Sequence, residues 1–161
     1  MKETPDRRFE HWRSTGDTRA LADVFDELAP RLLRLAIHLV GDVSTAEDLV
    51  QTTFVSAIES AESWDSRRQL EPWLTGILDH RAKNLLEVRR DRRSSDADAL
   101  VDVETPLARA IADERSRELA KSIDELQEPY RSAMILSALH GLKPAEIAHA
   151  LDRSPGAVRV Q

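Results

Sequence analysis

The chain has 161 residues, a formal charge of −6, 41% hydrophobic and 32% charged side chains, and no cysteine. Such values describe one globular domain or two small ones, and they exclude disulfides, thiolate zinc sites and a cysteine nucleophile. No apolar run is long enough to span a bilayer and the first 13 residues are charged, so a cytoplasmic protein is expected.

In chain order, Leu21, Val24, Phe25, Leu28, Leu32, Leu35 and Leu39 recur at three- and four-residue steps, the period of one buried helical stripe. Pro30 interrupts that stripe, which predicts two helices or one kinked helix, ending at Gly41 as a C-terminal cap. Ser44 with Glu47 three residues on has the form of a capping box and predicts a helix from about Ser44. Its apolar side is Ala46, Leu49, Val50, Thr53, Phe54, Ala57 and Ile58.

After a polar stretch around Trp64 to Arg68, Pro72 is expected to open a third long helix carrying Trp73, Leu74, Ile77, Leu78, Leu85 and Val88. Its last turns are strongly basic. Residues 81–93 hold 6 Lys and Arg against 2 Asp and Glu, between residues 21–80 with 4 against 11 and residues 94–128 with 4 against 10. One compact cationic segment between acidic ones would steer a polyanion to one edge despite the negative total, or it is a solvated helix end complementing the helix dipole.

The stretch from Ser94 to Thr105 is rich in Ser and Asp, lacks periodicity, and reads as a flexible acidic linker. Thr105 and Pro106 then resemble an N-cap and first helical position, with Leu107, Ile111, Leu119, Ile123 and Leu126 along one side of the following helix. A further helix is expected from Tyr130 to His140, closed by Gly141, and a short one from Pro144 to Leu151. A last helix would begin at Ser154 as cap and Pro155. With no strand-type alternation, the fold class is all-α: two small helical modules, residues 18–93 and 106–161, joined by the linker 94–105.

The last two elements have helix–turn–helix spacing. Ala148 is the small residue where the helices meet, Asp152 occupies the turn and Val158 anchors the second helix. Such a pair also occurs as a plain packing unit. If it reads DNA, the exposed positions are Ser154, Gly156, Ala157, Arg159 and Gln161, of which Arg159 and Gln161 can donate to bases or phosphates.

The run Ala46-Glu47-Asp48-Leu49-Val50-Gln51-Thr52-Thr53-Phe54, then Trp64-Asp65, Pro72-Trp73-Leu74 and the Arg-rich helix end, resembles sigma region two of extracytoplasmic-function RNA polymerase sigma factors. The module from about Pro106 resembles sigma region four. The resemblance implies a sigma factor that directs core RNA polymerase to promoters and initiates transcription. It implies that Glu47, Asp48 and Gln51 dock on the coiled coil of the polymerase β′ subunit, and that the helix from Trp73 with its preceding loop opens the promoter and reads the minus-ten element. His80, Arg81, Lys83, Asn84, Arg89, Arg90, Arg92 and Arg93 are then placed near DNA, and Ser154, Arg159 and Gln161 near a minus-thirty-five element. Trp64 and Trp73 could stack on flipped bases, although an aromatic such as Trp73 is more often core. The resemblance leaves room for an anti-sigma factor as a second protein partner.

No enzyme constellation accompanies these features. The five histidines lack metal spacing and there is no glycine-rich phosphate loop, so neither metal nor cofactor is expected. A regulator using only its helix–turn–helix leaves the segment from Glu47 to Phe54 without a role. A sigma-like adaptor that no longer reads a full promoter is the alternative if the chain ends at Gln161, where the recognition helix is barely two turns long.

Overall fold

The computed structural model describes residues 3–95, Leu107, Ile111 and residues 114–153. Every element among them is helical, in agreement with the all-α reading. None of these helices is long and apolar enough to cross a membrane. The linker beyond residue 95, the Thr105 and Pro106 helix start and the helix from Ser154 lie outside the described residues.

Sequence periodicity assigns no element before Leu21, yet α1 spans Pro5–Thr15. Its apolar face is little more than Phe9 and Trp12, too few positions to show as a stripe. The signal lies in the ends: the Thr4 hydroxyl accepts from the Arg7 N–H, Pro5 occupies the first turn, and Gly16 closes the helix at φ 76°. Helix α2 (Thr18–Val40) runs unbroken through Pro30. Asp26, whose carbonyl loses its amide partner to the proline ring, is exposed, so water can serve the freed group. Gly41 ends α2 at φ 79°, as expected.

Helix α3 spans Val43–Glu59 and corrects the expected cap. Asp42, not Ser44, is the N-cap, its carboxylate accepting from the Thr45 N–H at 2.8 Å, so Glu47 completes no capping box. Ile58 is also displaced from its expected place: it is 42% exposed while Ala46, Leu49, Val50, Thr53, Phe54 and Ala57 are buried. A short 3-10 turn (Ala61–Ser63) leads through an exposed loop to α4 (Leu70–Ser95), which starts two residues before Pro72. Helices α1 to α4 enclose Phe9, Val24, Leu28, Leu32, Leu39, Trp64, Leu74 and Leu78, whereas Val88, near the outer end of α4, is exposed.

The second module contains α5 (Glu114–Asp124), α6 (Tyr130–Met134) and α7 (Pro144–Ala150). The helix expected from Tyr130 to His140 widens into a π turn over Ile135–Leu139, with Ile135 and Leu136 buried, before Gly141 stops it at φ 65°. In α5 the inward residues are Ala120 and Ile123, while Leu119 is 58% exposed and Leu126, just beyond the helix, is also exposed, against the single apolar side read from spacing. Asp152 adopts φ 49°, the left-handed turn that the helix–turn–helix pattern requires of it. One contiguous hydrophobic cluster joins the two modules, because α7 lies directly on α4.

Candidate polymerase and promoter surfaces

Helix α3 presents two opposite faces. Leu49, Val50 and Phe54 are buried against α2 and α4, and Glu47, Asp48 and Gln51 are exposed together on the outer side with Val55 and Ile58. The sequence-derived trio thus lies on one surface, at steps of one and three residues on a well-capped helix. Carboxylates and an amide beside two exposed branched side chains can accept charged hydrogen bonds at a rim around an apolar centre.

The residues expected near DNA on α4 divide into two groups. Arg81 donates to the Ser56 hydroxyl, Lys83 pairs with Asp79 at 2.6 Å and Glu128 at 3.5 Å, and Arg89 donates to the Thr45 hydroxyl at 2.8 Å and pairs with Asp42 at 3.5 Å. These three cations tie α4 to α3 and to the second module. The Thr45 amide, with help from the Arg89 charge, holds the Asp42 carboxyl below its ordinary range. His80, Asn84, Arg90 and Arg92 form the exposed group, with Asn84 3.3 Å from the His80 ring. The side chain of Arg93, and Ser154, Arg159 and Gln161, lie outside the described residues.

Trp64 is not available for base stacking. It is 2% exposed and packs edge-on to Phe9, which Trp73 also flanks at 5.9 Å. The cations that periodicity passed over are Arg67 and Arg68 in the loop before α4, where no repeating pattern marks them. Both are exposed, and Arg67 pairs with Asp65 at 2.9 Å, which with the Arg67 amide lowers the Asp65 carboxyl to about 2.

The second module sits on the same side of α4. A Cβ added at Gly76 would overlap the Ala150 carbonyl, so the glycine permits the backbone of α7 to reach α4 at a position where an exposed helix would favour alanine. The Ser132 hydroxyl donates to the Asp79 carboxylate at 2.6 Å, and Arg68 lies 2.9 Å from His149. Between the modules is a cleft of about 790 Å³ lined by Arg68, Trp73, His80, Lys83, Asn84 and His149 among others. Part of the expected DNA face is therefore occupied by protein in this arrangement.

A histidine pair closes the far side of this contact: His38 Nδ1 of α2 stands 2.9 Å from His140 Nε2. Burial lowers both, and with the charges of His38 and Arg34 it brings His140 down to about 4. A histidine depressed on docking binds fewer protons docked than free, so its contribution is intact above the free value near 6.5 and declines as pH falls from there toward 4. The docked arrangement is expected to loosen between pH 7.5 and pH 5.5. His140→Gln should flatten that dependence, as read by the radius of gyration in small-angle scattering.

Known proteins match the chain in both modules. Residues 24–94 match the family model for sigma-70 region 2, and residues 116–161 match that for sigma-70 region 4. RNA polymerase sigma factor CarQ of Myxococcus xanthus is 33% identical over 150 residues, covering 91% of this chain and 84% of its own. The chain belongs to the extracytoplasmic-function sigma factors of the sigma-70 family. This sigma factor is also similar to the extracytoplasmic-function RNA polymerase sigma factor SigW of Bacillus subtilis, 24% identical with 91% and 84% of the two chains covered. Its fold matches that of CnrH, solved in complex with the cytosolic domain of CnrY, at a TM-score of 0.69 over 96% of this chain and 88% of CnrH. Another match is the sigma factor RpoE of Bartonella quintana, solved with the anti-sigma factor NepR, at a TM-score of 0.64 over 86% and 87%. As a sigma factor, the protein directs RNA polymerase to promoters and initiates DNA-templated transcription. The family is not an enzyme class.

Proposed function

We propose that residues 18–93 form the polymerase-binding and minus-ten-reading module and that residues 106–161 form the minus-thirty-five module, with the linker starting after the end of α4 at Ser95 rather than at Ser94 and running to residue 105. Glu47, Asp48 and Gln51 dock on the coiled coil of the β′ subunit. The loop from Ala61 to Gln69 and the exposed side of α4, with His80, Asn84, Arg90 and Arg92, meet the melted minus-ten strand. Arg81, Lys83 and Arg89 join that surface only by leaving their present partners. Arg93, Ser154, Arg159 and Gln161 complete the DNA contacts. The observation that carries this reading is the separation of charge: an acidic and amide face on α3 and a cationic end on α4 suit a basic protein partner and a polyanion respectively. The factor works in the cytoplasm without metal or cofactor, leaves bond-making to the polymerase, and takes an anti-sigma factor as a further partner, as RpoE does.

The test of the DNA surface is salt dependence. Arg90→Ala with Arg92→Ala should flatten the slope of log affinity for a duplex promoter against log salt by about 0.9 for each lost phosphate contact. The matched change at Arg89 should instead lower thermal stability, since that cation holds the start of α3. A wild-type slope in the double variant would remove Arg90 and Arg92 from the DNA surface.

A further inference from the structure

Helix α1 precedes the segment that matches region 2. Its two ends nevertheless make long-range polar contacts with the loop before α4, which Arg68 also ties to His149 of α7. At one end, Asp6 accepts from the Leu70 N–H at 2.6 Å. Leu70 is the first residue of α4, so a carboxylate from 64 positions away satisfies an otherwise orphaned amide and complements the positive end of the helix dipole. At the other end, about 10 Å along the axis of α1, Arg13 donates to the Trp64 carbonyl at 2.9 Å and the Ala61 carbonyl at 3.2 Å. Its guanidinium also lies 5.5 Å from the Trp64 ring centre. Glu10 pairs with Arg13 at 2.6 Å and keeps it aimed.

Apart from Arg68, which lies 2.9 Å from His149, the loop's own hydrogen bonds are local. Trp64 donates its backbone N–H to Ala61, and Asp65 turns the chain by accepting from Arg67 and Arg68. Bonds of this kind shape a turn without orienting it on the bundle. The buried indole N–H of Trp64 finds no acceptor among the described residues, so the ring is kept by Phe9 and Arg13 rather than by a bond at its polar edge. Between the anchors, Ser66, Arg67, Arg68 and Gln69 are all exposed.

We propose that α1 is a positioning element for promoter reading: Asp6 and Arg13 clamp the two ends of the loop from Ala61 to Leu70 and so set the base preference of its exposed residues. This rests on the reading of that loop as part of the minus-ten surface. Neither residue touches DNA. Their effect is to hold Arg67, Arg68 and Gln69 at one place relative to His80 and Asn84 on α4.

The experiment uses the full chain with core polymerase, comparing wild type, Asp6→Ala, Arg13→Ala and a core variant, Leu35→Ala, which weakens the fold from α2 and leaves both clamping residues in place. Amide hydrogen exchange at residues 62–70 should rise about tenfold or more in the two α1 variants, with the amides of α2 and α3 unchanged. In transcription from promoters differing at single minus-ten bases, the ratio between the best and poorer promoters should fall several-fold while core association holds. Arg13→Lys, which keeps the charge and one donor, should restore part of that ratio. Leu35→Ala should lower output from all promoters alike. Wild-type loop exchange, an unchanged promoter ratio, or a loss no different from Leu35→Ala would overturn the positioning role. A wild-type protein whose output is flat across the minus-ten variants would instead overturn the assignment of the promoter surface, and the positioning role with it.

Discussion

Asp48→Arg combined with Gln51→Ala is expected to abolish co-purification of the sigma factor with core polymerase while leaving its helicity and thermal midpoint close to wild type. Both side chains are exposed on α3 and contribute nothing to the buried row Leu49, Val50 and Phe54, so the fold should lose no more than about 0.5 kcal/mol. At an interface the same changes reverse a charge and remove an amide facing a basic partner. Disrupting one member of a desolvated charged pair costs about 2–5 kcal/mol, roughly thirty-fold to several-thousand-fold in affinity. A pull-down with purified core polymerase, beside circular dichroism on the free variant, decides the matter. Retained binding would take this face out of the interface.

Asp79→Ala should release the second module from α4. Asp79 is 4% exposed, accepts from Ser132 and pairs with Lys83, which in turn reaches Glu128. Removing the carboxylate leaves the Ser132 hydroxyl and the Lys83 ammonium without their principal acceptor in the contact. Breaking a buried pair costs about 3–5 kcal/mol. Lys83 keeps Glu128 and some water, so the lower end of that range applies, shifting the docked-to-open ratio by about a hundredfold. A larger radius of gyration with unchanged helicity is the expected result. Gly76→Val should open the contact by a different force, since its side chain would collide with the Ala150 carbonyl of α7. If neither variant expands the molecule, the packing of α7 on α4 does not govern how the modules are held.

The two predictions differ in how much of their basis was visible in the sequence. Glu47, Asp48 and Gln51 could be placed on one outward surface from the 3.6-residue period of their apolar neighbours, because helix geometry is local and regular. Gly41 as a stop, and Asp152 as the left-handed turn residue, were legible for the same reason: a residue's own backbone preferences act within a turn. Caps were less secure. Asp42 and Ser44 are both able N-caps two positions apart, and the tertiary link from Arg89 adds to the one that formed.

The all-α class, the order of the main helices and the existence of a cationic end on α4 were determined by the sequence itself, since each follows from periodicity, capping or charge within a short window. Tertiary structure alone decided which cations that end commits to protein, that Trp64 is buried behind Phe9, that Asp6 and Arg13 hold a loop 48 to 64 positions away, and that Gly76 is a landing place for α7. Contacts between residues so distant depend on which surfaces the packed helices bring together. Hydrophobic burial specifies that packing collectively over the whole core, so no single motif along the chain encodes it.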